Sequence, residues 1–115
     1  MEQFSTDELV KLRELLDKQA IYENVVKYCR GADRLDIDLL KDAYWEDRTD
    51  DHGVFSGNAH EFCDFAMQSK ELLKSVSHHV SNVQIELSGN QAKVETYFLS
   101  AQLVADTELE SDAFW

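Results

Sequence analysis

Proline is absent from this chain, so no helix or strand has to accommodate a residue that lacks a backbone donor. Cysteine is scarce. Cys29 and Cys63 stand far apart with no CxxC, which suggests neither a zinc knuckle nor a disulfide framework. A reducing cytoplasm is the expected setting. Glycine numbers only four, with no cluster that could cradle a phosphate. Positive charge is short as well: 11 Lys and Arg face 23 Asp and Glu, a formal net charge of −12. Nucleic acid is therefore not an expected partner, since affinity for it rests largely on cations that neutralise phosphates. An anionic membrane surface is disfavoured for the same reason. No apolar run approaches the roughly 20 residues that span a bilayer. The first residues lack the basic start and apolar stretch of a signal peptide.

What is present suffices for one core and no more. The chain has 115 residues, 43% of them hydrophobic, with charge spread along it rather than blocked, so it reads as a single folded domain. Ser5 and Glu8 have capping-box spacing. Leu9, Leu12, Leu16, Ala20, Ile21, Val25, Tyr28 and Ala32 then recur at helical spacing, so a helix over 6–31 should bury this stripe. Asp36 can cap a short second helix carrying Leu39, Leu40, Ala43 and Tyr44. A strand is expected around 49–55. Asn58 and Glu61 repeat the cap spacing, and Phe62, Phe65, Ala66, Leu72 and Leu73 supply the buried face of a third helix. Two long strands over 76–88 and 91–104, joined at Ser88-Gly89-Asn90, read as a hairpin. Helices followed by an antiparallel sheet make an α+β domain.

The first long strand contains a conflict of parity. Val83, Ile85 and Leu87 share a buried face, which by strict alternation would send His79 inward and His78 outward. A bulge between Val80 and Asn82 would reverse this and turn His78 into the core. In either case the adjacent histidines face opposite ways, so they cannot serve one pocket together. The other residue types with chemical potential are Asp33 and the acidic loop around His52. A carboxylate bonded to an imidazole fixes its tautomer and makes it a general base. By spacing alone, Asp33 can equally be a helix-end residue and either histidine a satisfied strand residue. Asp50, Asp51, His52 and His78 hold metal-binding atom types but lack HxH or HxxE spacing, so no metal is expected. No GxSxG elbow occurs, and both cysteines read as small packing residues.

The run Tyr28-Cys29-Arg30-Gly31-Ala32-Asp33-Arg34, then Asp36 and Tyr44-Trp45, is one part of a wider pattern. Asp51-His52-Gly53, Gly57, His78-His79-Val80-Ser81-Asn82, Gly89 and Ala92 complete it. Over roughly residues 10–103 this pattern resembles the SnoaL-like branch of the nuclear transport factor 2-like superfamily. The resemblance implies a strongly bent antiparallel sheet forming a cone, with a long N-terminal helix and two shorter helices packed on it around an apolar pocket. Enzymes of that superfamily include scytalone dehydratase, lindane dehydrochlorinase, bile-acid dehydratase and polyketide cyclases. Its dehydratases and dehydrochlorinase use an Asp–His dyad, which the motifs map onto Asp33 and His78. Tyr28 then matches a pocket tyrosine, and His52 falls near a second one whose phenol polarises a carbonyl. Tyr28, His52, Tyr44, Phe62, Asn82 and Phe98 are the expected substrate-binding residues.

The implied function is a cofactor-independent lyase or isomerase, dehydratase- or cyclase-like, acting on a small apolar ring-containing molecule. The alternatives are a non-catalytic ligand-binding or assembly module, or a small subunit of an oxygenase-type complex. Relatives usually continue through two further strands, whereas this chain reaches Trp115 after the acidic stretch Asp106 to Asp112. The expectation is therefore a shortened sheet without those strands. Its exposed edge would be a pairing liability, which makes a homodimer or higher homo-oligomer the expected assembly.

Overall fold

The computed structural model describes residues 3–68, 72–104 and 112–114. Helix α1 (Thr6–Asp33) begins at a reciprocal capping box. The Ser5 amide donates to Glu8 Oε1 at 3.0 Å, and the Glu8 amide donates to Ser5 Oγ at 3.1 Å. At 28 residues the helix is about 42 Å long, and among the described elements it packs on β3 and α2. The layer beneath it covers only part of that length. The expectation that the whole apolar stripe is buried is corrected accordingly: Leu9 and Leu16 are exposed, Leu16 by 62%. Burial is concentrated at the other end, where Cys29 and Gly31 lie inside.

Helix α1 stops at a left-handed residue, Leu35, with φ 57°. The Asp36 amide donates back to the Gly31 carbonyl at 2.9 Å, which turns the chain sharply into α2 (Ile37–Asp42). Asp36 caps that helix through the Leu39 amide, as its position in the sequence suggests. Here Gly31 has a structural reason. A Cβ on it would stand 2.6 Å from the Leu40 nitrogen and 2.8 Å from its Cα, so α2 can lie this close only against glycine. Leu40, 1% exposed, forms the core with Phe62 and Cys63.

Of the expected strand at 49–55 only residues 49–51 form one, and a second short strand follows beyond that range. β1 (Thr49–Asp51) and β2 (Ser56–Asn58) pair antiparallel around a turn containing Gly53, φ 76°. Helix α3 (Ala59–Gln68) starts where Asn58 Oδ1 accepts the Glu61 amide. It ends earlier than the apolar spacing implies. Leu72 is exposed, and Leu73 opens a strand rather than closing the face of α3. Surface ion pairs join the helices, Lys27 to Asp42 and Lys41 to Asp64.

Strands β3 (Leu73–Ser88) and β4 (Gln91–Val104) pair antiparallel, as expected for a hairpin. The register slips between Ser81 and Gln84, with Asn82 at φ 52°, so a bulge reverses the parity of β3. Val76, His78 and Val80 face inward before it, and Val83, Ile85 and Leu87 are the less exposed residues after it. The expectation that no strand follows residue 104 is corrected. Asp112–Phe114 form β5, antiparallel to β4, with Ala101 opposite Phe114. The readings that fall on 105–111 lie outside the described residues. The fold is α+β, with a three-stranded sheet in the order β3-β4-β5 and a separate β1-β2 pair.

Candidate active site

A cavity of about 590 Å³ opens between α1, the β1-β2 segment, α3 and the inner face of β3 and β4. That volume suits a small organic molecule. Tyr28, Tyr44, His52, Phe62, His78 and Phe98 all line it, so six of the expected site residues are brought together. Phe98 is 56% exposed because it faces this open space rather than packed protein. Two of the expected residues are not on the wall. Asp33 stands behind His78, which its carboxylate holds. Asn82 is exposed at the bulge and does not line the cavity. What Asn82 does is adopt the left-handed backbone that turns His78 inward, a conformation Asn tolerates better than most residues.

The Asp33–His78 contact joins the end of α1 to the middle of β3. Asp33 Oδ1 lies 2.6 Å from His78 Nδ1, and Oδ2 accepts the His78 backbone amide at 3.0 Å. One carboxylate thus grips both the ring and the backbone of the same residue. An ionised carboxylate only accepts, so in the neutral ring Nδ1 carries the proton and Nε2 the lone pair. Nε2 makes no hydrogen bond among the described residues. His79 points to the other face, exposed, and meets Ser77 Oγ at 3.0 Å.

Next to this pair, through Tyr28, lies a second polar chain. Asp50 on β1 contacts His52 Nδ1 through Oδ1, and its Oδ2 accepts the Tyr44 hydroxyl at 2.7 Å. His52 Nε2 is 3.1 Å from the Tyr28 hydroxyl. Phe62 stacks on the His52 ring at 3.9 Å and 12°, which fixes the plane of the imidazole. Tyr28 therefore sits between two imidazoles, its ring 6.3 Å from that of His52 and 6.1 Å from that of His78. Burial, reinforced by the Asp50 carboxylate, pushes the Tyr28 phenol well above the usual phenol range. Burial and the hydrogen bond to Asp50 do the same to Tyr44.

Three contributors escaped the sequence reading. By sequence Asp50 stands out only as a potential metal ligand. Period-two alternation puts it on the same face as His52, which is the signal that could have paired them. His60, whose Nε2 meets the carbonyls of Lys41 and Tyr44 at 3.0 and 3.1 Å, ties α3 to the end of α2 and steadies Tyr44. Ser100, buried on β4 directly opposite His78 of β3, lines the cavity with an Oγ that has no hydrogen-bond partner among the described residues. No signal in the sequence marked it.

The acidic loop does not converge on a cation. Asp51 accepts the Gly53 amide, Asp50 holds His52, and His78 is held by Asp33. Among the described residues no group of three or more His, Cys, Asp or Glu side chains is placed to hold a metal ion. Burial pushes the Cys63 thiol up to about 11 and raises that of Cys29, so neither is a ready nucleophile. No helix among the described residues is long and apolar enough to cross a membrane.

The chain is similar in structure to a putative scytalone dehydratase from Novosphingobium aromaticivorans. The TM-score is 0.74 at 17% identity, covering 88% of this chain and 70% of that one. It is also similar to the type-3 hexachlorocyclohexane dehydrochlorinase LinA of Novosphingobium barchaimii. There the TM-score is 0.72 at 16% identity, over 84% and 68% of the two chains. The Kfla4162 protein of Kribbella flavida aligns with a TM-score of 0.73 at 13% identity, over 88% and 78%. At such identities the likeness establishes the fold. No curated protein matches the sequence. The SnoaL-like domain matches residues 13–115, nearly the whole chain, and the protein belongs to the SnoaL-like domain family.

Proposed function

We propose that this protein is a cofactor-independent lyase that removes a proton and a β-leaving group from a small, apolar, ring-containing substrate. One observation carries the reading: His78, held by Asp33 at 2.6 Å, lines an apolar cavity large enough for such a ring. Nε2 of His78 takes the carbon-bound proton. Asp33 keeps the ring in the tautomer that leaves Nε2 basic, and its charge stabilises the imidazolium that forms. The aromatic walls at Phe62 and Phe98 hold the ring by burial. The fold shared with a putative dehydratase and a dehydrochlorinase supports the reading.

The test uses cyclohexanones bearing a hydroxyl or chloride β to the carbonyl, so that an acidic C–H lies next to the leaving group. The wild type should convert them. His78→Gln should lose about 10²–10⁴-fold in turnover, the usual contribution of a positioned general base, while still binding the ring. His79→Gln, altered on the opposite face, is the control. Undiminished turnover by His78→Gln overturns the assignment. A wild type that binds these rings and converts none is a binding module instead.

A further inference from the structure

We propose that Asp50, His52 and Tyr28 form a second proton-transfer arm, beside the Asp33–His78 pair in the cavity, that protonates the leaving oxygen of an alcohol substrate. The inference rests on the lyase reading above and narrows its substrate to ring compounds carrying a β-hydroxyl group. A hydroxyl leaves poorly unless it is protonated as it departs, and in a concerted elimination His78 is still taking the C–H proton when the oxygen needs one.

The geometry meets the need at each link. Both Asp50 oxygens are engaged, one by the Tyr44 hydroxyl and one by His52 Nδ1, and the Asp50 side chain is only 8% exposed. A carboxylate cannot donate, so Nδ1 of His52 keeps its hydrogen in the neutral and the charged ring alike. The proton that comes and goes is the one on Nε2. That atom faces the Tyr28 hydroxyl at 3.1 Å, and the Phe62 stack prevents the ring from turning away. Tyr28 is the member that reaches substrate, and Asp50 and His52 act through it. A buried phenol beside Asp50 does not give up its proton unaided, which is why an imidazole behind it matters.

With His52 charged, Nε2–H donates to Tyr28 Oη, and the hydroxyl hydrogen of Tyr28 turns to the substrate oxygen. His78 Nε2 takes the C–H proton, and that bonding pair becomes the second bond of the alkene. The C–O bond breaks with its pair on oxygen, which takes the Tyr28 proton and leaves as water. His52 refills Tyr28. One proton has passed from His52 to His78, the products are alkene and water, and solvent in the open cavity returns the proton after release.

The experiment compares a β-hydroxycyclohexanone with its β-chloro counterpart, because chloride departs without protonation. Asp50→Asn and His52→Phe, the latter keeping the stack on Phe62, should each lower turnover of the hydroxy substrate about 10²-fold more than that of the chloro substrate. His78→Gln should lower both. Equal losses on the two substrates overturn the arm and leave the lyase reading standing. Turnover surviving in His78→Gln overturns the lyase reading itself. Nitrogen-15 spectra of the free protein at about pH 9, where ordinary imidazoles are neutral, add a readout independent of substrate and of global stability. His52 should carry its proton on Nδ1, where the Asp50 carboxylate can only accept it. A wild-type His52 protonated on Nε2 alone overturns the arm.

Discussion

Replacing Asp33 with asparagine changes one oxygen for an NH2 and separates what the carboxylate does by shape from what it does by charge. Asp33 accepts two hydrogen bonds from one residue, from the His78 amide at 3.0 Å and from His78 Nδ1 at 2.6 Å. An asparagine can accept only one of them, since its other group donates. The backbone amide cannot change its role, but the imidazole can. In Asp33→Asn the side-chain oxygen should therefore keep the His78 backbone, and the NH2 should donate to Nδ1. The ring proton is then forced onto Nε2, where the cavity needs a lone pair. A charge-assisted bond contributes about 1.5–3 kcal/mol and a neutral one about 0.5–1.5, so exchanging both bonds should cost about 2 kcal/mol. For a domain of this size that is a fall of about 8 °C in Tm. Turnover should fall far more, about 10⁴-fold, the effect known for an imidazole held in the wrong tautomer. Thermal unfolding, nitrogen-15 spectra of His78 at about pH 9 and turnover of the β-hydroxycyclohexanone measure the three effects separately. A His78 that keeps its proton on Nδ1 in the variant refutes the reasoning. So does a stability loss of several kcal/mol, which would mean that the carboxylate's charge, and not its pairing, holds the strand.

Two further outcomes follow from packing and ionisation. Gly31→Ala should destabilise by about 1–3 kcal/mol, the usual cost of overpacking, because its Cβ would meet the Leu40 backbone at 2.6 Å. A variant as stable as the wild type in urea would show that α2 is free to move away. Tyr28 and Tyr44 bind their protons more tightly folded than unfolded. Their contribution is complete below the unfolded phenol value of about 10 and is lost as pH rises above it toward the folded values. Melting temperatures should thus drop more steeply above that pH in the wild type than in the double variant Tyr28→Phe, Tyr44→Phe, and parallel curves would sink the claim.

The elements of the fold were legible where local signals act alone. The Ser5–Glu8 box, the Asp36 cap and the Ser88-Gly89-Asn90 turn depend on residues within a few positions of each other, and each is found as read. Errors arose where a local pattern did not reveal what would cover it. The apolar spacing of α1 runs past the sheet, so Leu9 and Leu16 remain in water. Leu72 and Leu73 continue a helical spacing by sequence, yet Leu73 begins β3 and pairs with Val104, a partner remote along the chain.

For the site, the sequence by itself determined the chemical inventory and, through the parity of β3, that His78 and His79 must face opposite ways. It could not decide which one faced in, because that depends on a bulge at Asn82, where register against β4 is set by pairing across the sheet. Only the tertiary structure decided that Asp33 reaches both the ring and the backbone of His78. Only it placed Tyr28 between His78 and the Asp50–His52 pair. Hydrogen bonds of this kind act over about 3 Å between atoms far apart in the chain. Their existence is settled by how α1 packs against β3 and how the β1-β2 pair packs on α3, and residue spacing does not encode that distance.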